Sequence, residues 1–167
     1  MKIAYIAHSC SPYHGSEARI GWRIPLEAAF NNEVLVMTVP ESKELIEKYA
    51  QHASLKNVRF FYIDVPSAVK KICKGPLFSL RLMVWNCQVK KELVRISKKE
   101  RIDVIHQLNP VEFRAIGNYG TLQPHIPYVC GPVGGGECIP DCLKSYVHGK
   151  LFLIERIRDF GNIFARV

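Results

Sequence analysis

The sequence predicts an α/β protein built on a doubly wound parallel sheet in the strand order 3-2-1-4-5, with room for extra strands. Three observations predict it. Short apolar runs alternate along the chain with longer stretches of helical spacing. Those runs are apolar throughout, as strands covered on both faces are. The composition, 48% hydrophobic and 23% charged over 167 residues, is that of one folded domain with a proper core. Right-handed crossovers between sequence neighbours then place the first strand at the centre of the sheet.

The elements follow in order. Residues 2–8 (KIAYIAH) form the first strand and run into a Ser/Pro/Gly loop over 9–16. Helical spacing over 17–30 brings Ile20, Ile24 and Ala28 together with Trp22 and Leu26, and Pro25 should kink that helix or mark its start. Residues 33–39 (EVLVMTV) are the second strand, and 42–52 a helix with Leu45, Ile46 and Tyr49 on one face. The third strand is 57–64 (NVRFFYID). After breaks at Pro66 and Gly75–Pro76, a long helix covers 77–99. A short fourth strand at 103–107 (DVIHQ), a helix at 113–119 and a fifth strand at 127–130 (PYVC) complete the sheet. The tail from 143 to 167 is helical except at Gly149 and Gly161, with Leu153, Ile157, Phe160, Phe164 and Val167 as one stripe.

Several classes are excluded or disfavoured. No run of 18 apolar residues is present to make a transmembrane helix, and the N-terminus lacks a signal-peptide pattern, so a cytoplasmic location is expected. Six cysteines without a CxxC pair read as reduced thiols. Cys138 and Cys142, with His148 nearby, hint at a metal, but the spacing is not one that zinc favours, so buried or incidental thiols are the better reading.

In a doubly wound sheet the ligand crevice lies at the carboxyl ends of the strands where the winding reverses, here strands 1 and 4. The loops at 9–16 and 107–110 should therefore share one cleft, flanked by 131–137. In the first loop, Gly15 permits a tight turn and Ser16 can cap a helix starting near Glu17, whose N-terminus would favour an anion. The loop is neither a dinucleotide fingerprint nor a P-loop. His106 near the end of strand 4 could act as a base, a hydrogen-bond donor or a substrate anchor, or be a satisfied half-buried side chain. His8 and His14 pose the same choice, and Gln107 and Asn109 add amide groups to the rim. In GPVGGGE, Gly134, Gly135 and Gly136 let the backbone approach a ligand or another domain, with amides able to nest an anion. Glu137, directly after them, could bind a sugar hydroxyl or begin a turn.

Taken together, HGSEARIGW, DVIHQLNPVEFRAIG and PYVCGPVGGGECIP resemble the N-terminal, acceptor-side domain of a GT-B glycosyltransferase of family 4, a Rossmann-like domain, and the resemblance spans essentially the whole chain. It implies a retaining enzyme that moves a sugar from a nucleotide-sugar donor to a glycan or lipid-linked acceptor. Gly15, Ser16 and Glu17 would stand at the donor diphosphate, and His106 would line the catalytic cleft. His14, Gln107, Asn109, Gly134, Gly135, Gly136 and Glu137 would form the acceptor side and the cleft rim. The implied mechanism is front-face transfer, in which the leaving diphosphate accepts the acceptor proton while protein groups orient the sugar and stabilise the leaving group. No DxD motif is present, and neither a metal nor another cofactor is expected. Two departures stand out. The place two residues after His106, a His in many relatives, is Leu108 here. A complete enzyme would also be roughly twice as long, so the donor domain is expected to be missing and this chain alone inactive.

Competing functions are a nicotinamide oxidoreductase domain, disfavoured by the absent fingerprint, and a non-catalytic binding or regulatory domain at a membrane surface. Nucleic-acid binding is a third, but no recognised module is present. The formal charge of +8 resides wholly in 70–101, where ten basic residues face only Glu92 and Glu100. Those basic residues, with Leu77, Phe78, Leu80, Leu82 and Trp85, suit either a solvated helix face or peripheral docking on an anionic membrane at its inner face. If the tail stripe is left uncovered, modest self-association is expected.

Overall fold

The structure, a computed structural model, describes residues 1–51, 55–112, 116–122, 126–134 and 139–165. The chain divides into two compact units, Met1–Val133 and Gly134–Val167.

The first unit is a five-stranded, all-parallel sheet in the order β3-β2-β1-β4-β5, as the sequence predicts, flanked by helices in a Rossmann-like arrangement. Its strands are β1 (Lys2–Ala7), β2 (Glu33–Thr38), β3 (Val58–Tyr62), β4 (Val104–Asn109) and β5 (Tyr128–Cys130). Its helices are α1 (Ser16–Ala28), α2 (Lys43–Ala50), α3 (Ser67–Ile72) and α4 (Phe78–Ser97). The period of two splits each central strand between two cores. Ala4 and Ile6 of β1 and Leu35 and Met37 of β2 pack on the α4 face, against Trp85, Val89, Leu93 and Ile96. Tyr5 and Ala7, with Val34 and Val36, pack on the opposite face against Trp22 of α1 and Ile46 of α2. Unbroken apolar strands are what a sheet buried on both sides requires.

Four local expectations are corrected. Ser16 does not cap α1: it is the first helical residue, Gly15 occupies the cap position, and no side chain caps that helix. A short helix, α3, and a 3-10 turn at Gly75–Leu77 fill the stretch read as broken, because Pro66 stands just ahead of α3 and Gly75, at positive φ, opens the turn. Of the predicted helix at 113–119, positions 113–115 lie outside the described residues. Residues 116–118 are irregular, and a 3-10 turn follows at Tyr119–Thr121. Leu82 and Trp85 belong to the core and not to an outer face, being 3% and 1% exposed, and the Trp85 indole donates to the Ile63 carbonyl at 2.9 Å.

Helix α1 continues through Pro25. Proline has no N–H, so the carbonyl of Gly21, four residues earlier, loses its helical partner. The buried Cys10 thiol donates to it instead, at 3.3 Å, and burial pushes that thiol up to about 12. Cys10 is thereby a structural group and not a nucleophile.

The second unit holds a 3-10 stretch, Asp141–Tyr146, and helix α5, Lys150–Ala165, whose backbone passes through Gly161 without the expected break. Leu153, Ile157 and Phe160 of the predicted stripe are exposed. No helix among the described residues is long and apolar enough to cross a membrane.

Candidate functional site

The winding reverses between β1 and β4, and the structure binds the two loops that leave these strands into one piece. The clasp is Asn109, fully buried at the end of β4. Its Oδ1 accepts the Ser9 N–H at 2.8 Å, while its Nδ2 donates to the Ser9 carbonyl at 2.8 Å and to the Glu17 carbonyl at 3.3 Å. The Glu17 carboxylate returns the connection by accepting the Val111 N–H at 3.0 Å. Two backbone segments a hundred residues apart are thus joined by side-chain amide and carboxylate chemistry where no strand ladder reaches them. Both residues therefore point their polar atoms at the protein's own backbone.

At the start of α1, Gly15 has φ 54° and ψ 159°, a region essentially reserved for glycine, and a Cβ there would meet nothing within 4 Å. Gly15→Ala should therefore cost only the conformational strain, about 1–3 kcal/mol. The urea midpoint should fall accordingly, with the cooperativity of unfolding unchanged. His14, Gly15 and Ser16 are exposed at the start of α1, at the edge of the clasped loops.

Neighbouring residues of β4 serve opposite faces. His106 stands beside Tyr5 on the α1 face, with ring centroids 5.4 Å apart, and its Nε2 lies 3.1 Å from the Gly131 carbonyl. A carbonyl only accepts, so the ring carries its proton on Nε2 and donates. Gln107 points to the α4 face and is buried. Its Oε1 accepts the Gly117 N–H at 3.0 Å and the Tyr128 hydroxyl at 2.8 Å. His106 and Gln107 thus tie β4 to the segments around β5. Gly134 is half-buried, and a Cβ on it would meet nothing within 4 Å, so no close approach among the described residues demands a glycine there. Gly135, Gly136 and Glu137 lie outside the described residues, as does Cys138.

A second cluster, which sequence reasoning did not assemble, occupies the carboxyl ends of β1, β2 and β3. His8 directly follows β1, Glu41 follows β2 and Asp64 follows β3. Lys70 of α3 and Arg81 of α4 reach back to them. Lys70 Nζ lies 2.6 Å from Asp64 and 3.4 Å from Glu41, and Arg81 lies 3.3 Å from the same Glu41 oxygen. Desolvation pushes the Asp64 carboxyl up, but hydrogen bonds from Lys70 and from the Val65 N–H hold it below its ordinary value. His8 packs edge-on against Trp85 at 4.8 Å and Phe78 at 6.0 Å. Burial, with Arg81 adding to it and Glu41 opposing, depresses the His8 imidazole to about 4. The signal available in the sequence was positional: a titratable residue follows each of three adjacent strands, and strand ends share one side of the sheet.

A cavity of about 730 Å³ does not open on His106. It runs between α1 and the α2 side, past Trp22, Leu26, Phe30 and Tyr49, and only Pro12, Tyr13 and Arg19 connect it to the first loop. Among the described residues, no group of three or more His, Cys, Asp or Glu side chains is placed to hold a metal ion. Compared with known proteins, the chain matches no family model and no curated protein.

Proposed function

We propose that the chain is the acceptor-side half of a retaining GT-B glycosyltransferase of family 4, which moves a sugar from a nucleotide-sugar donor to a glycan or lipid-linked acceptor. The observation that carries this reading is the Asn109 clasp. It brings HGSEARIGW and DVIHQLNP, two of the three stretches behind the family resemblance, into one hydrogen-bonded unit where a doubly wound sheet binds its ligand. On this reading, Asn109, Gln107 and the Glu17 carboxylate position the loops and do not touch the sugar. The ligand-facing groups on this reading are the amides at Gly15 and Ser16, at the uncapped start of α1 and suited to a diphosphate, with His14 adjacent in the chain and His106 lining the cleft. A crevice between two facing domains has one wall in each. The cavity beside Trp22 is therefore not assigned as the donor site. The nucleotide sugar is a substrate in the proposed reaction, which calls on no cofactor.

A second reading, a non-catalytic Rossmann-like binding or regulatory domain, is favoured by one feature: Glu17, Gln107 and Asn109 spend their polar atoms on the protein itself.

Titration of the isotope-labelled chain with uridine and guanosine diphosphates separates the two. The transferase reading expects the Gly15, Ser16 and His106 amides to shift progressively with ligand. Shifts confined to 70–101, or none at millimolar nucleotide, would leave the binding-domain reading in possession.

A further inference from the structure

We infer that the segment from α3 through the first turns of α4 is a docking face for an anionic phospholipid bilayer. The stretch from Val65 to Lys91 contains no carboxylate. The structure sorts its cations into two kinds. Lys70 and Arg81 are neutralised by Asp64 and Glu41, which arrive from the ends of β3 and β2. Lys71 and Lys74 are exposed and enter no ion pair among the described residues.

Large apolar side chains lie exposed among these lysines: Ile72 at 69%, Leu77 at 43%, Leu80 at 48% and Met83 at 61%. On α4, Leu80, Met83, Cys87 and Lys91 succeed one another at helical spacing as an outer stripe, opposite the buried Leu82, Trp85 and Val89. Aliphatic side chains at the acyl boundary with lysines at headgroup level form an interfacial signature, and the carboxylates that reach the segment, Asp64 and Glu41, are held in ion pairs. Nucleic acid would match the lysines but would leave the aliphatic side chains between them without a role.

The inference goes beyond the proposed sugar transfer and is independent of it, since its test uses no sugar nucleotide. The full chain is sedimented with vesicles of phosphatidylcholine plus phosphatidylserine, and with phosphatidylcholine alone. Retention is expected only on the anionic vesicles and should weaken as salt rises. Both Lys71→Glu/Lys74→Glu and Leu80→Ser/Met83→Ser should lower retention by about tenfold or more while leaving the circular dichroism unchanged. Absence of retention at low salt would overturn the inference, as would retention indifferent to lipid charge. So would retention that survives both double variants, the result expected if the exposed apolar side chains of α5 did the binding.

Discussion

Gly21→Ala should destabilise the protein by about 3–5 kcal/mol, the sum of an overpacked contact and a disrupted buried hydrogen bond. A Cβ built on Gly21 falls 2.7 Å from Asn109 Nδ2 and closer still to the Ser9 carbonyl oxygen, with Ala7 Cβ at 3.1 Å. The first two are the atoms of the clasp. The Ser9 oxygen is backbone and cannot swing aside, and Asn109 is fully buried, so relief requires α1 to move away from the end of β1. That movement would also pull the Gly21 carbonyl from the Cys10 thiol. Urea denaturation is the measurement, with Gly15→Ala as the comparison, since there the added methyl meets nothing. A Gly21→Ala midpoint as high as that of the unaltered protein would mean that the helix does not approach the strand so closely.

Acidification should reveal His8 as a half-buried neutral base. The unfolded imidazole takes up its proton near its ordinary value of 6.5, whereas the folded one does so only at about 4. Between these values the unfolded chain holds more protons, so stability is full above the higher value and falls as pH drops towards the lower one. The loss over that window is about 3 kcal/mol. The carboxylates held below their ordinary values, Asp64, Glu92, Glu100, Asp103 and Asp141, contribute stability that is lost only once pH falls below about 4.5. The interval from pH 6.5 to 4.5 therefore isolates the histidine. Urea midpoints measured across it should decline in the unaltered protein and decline less in His8→Gln, the difference being the His8 contribution. Parallel declines in the two proteins would show that His8 is already solvated.

Why the fold was readable and the site only partly so follows from particular residues. KIAYIAH and EVLVMTV are apolar at both parities, and only a strand with a core on each side tolerates that, so the doubly wound sheet followed directly. Leu82 and Trp85 were misplaced because the segment was read by its charge. Their spacing with Val89 and Ile96 marks the buried side of α4, and Leu80 and Met83 lie on the other. Ser16 was misjudged as a cap because helix-capping residues and glycine compete for the same position, and here the positive φ of Gly15 took it.

The charge segment shows the same division. Its ten basic residues could be counted in the sequence, but which of them remain free depends on where Glu41 and Asp64 arrive, and both acids lie outside the segment, Glu41 far from it in the chain. A strand-end Asn or Gln likewise offers the same atoms to a ligand as to a neighbouring loop. The sequence by itself determined the layers, the strand order and the side of the sheet on which polar groups gather, because these follow from periodicity and chain handedness. Only the tertiary structure decided that Asn109 clasps Ser9, that Gln107 serves Gly117 and Tyr128, and that His8 lies half-buried against Trp85. Hydrogen-bond partners and desolvation depend on segments far apart in the chain being brought within about 3 Å of one another.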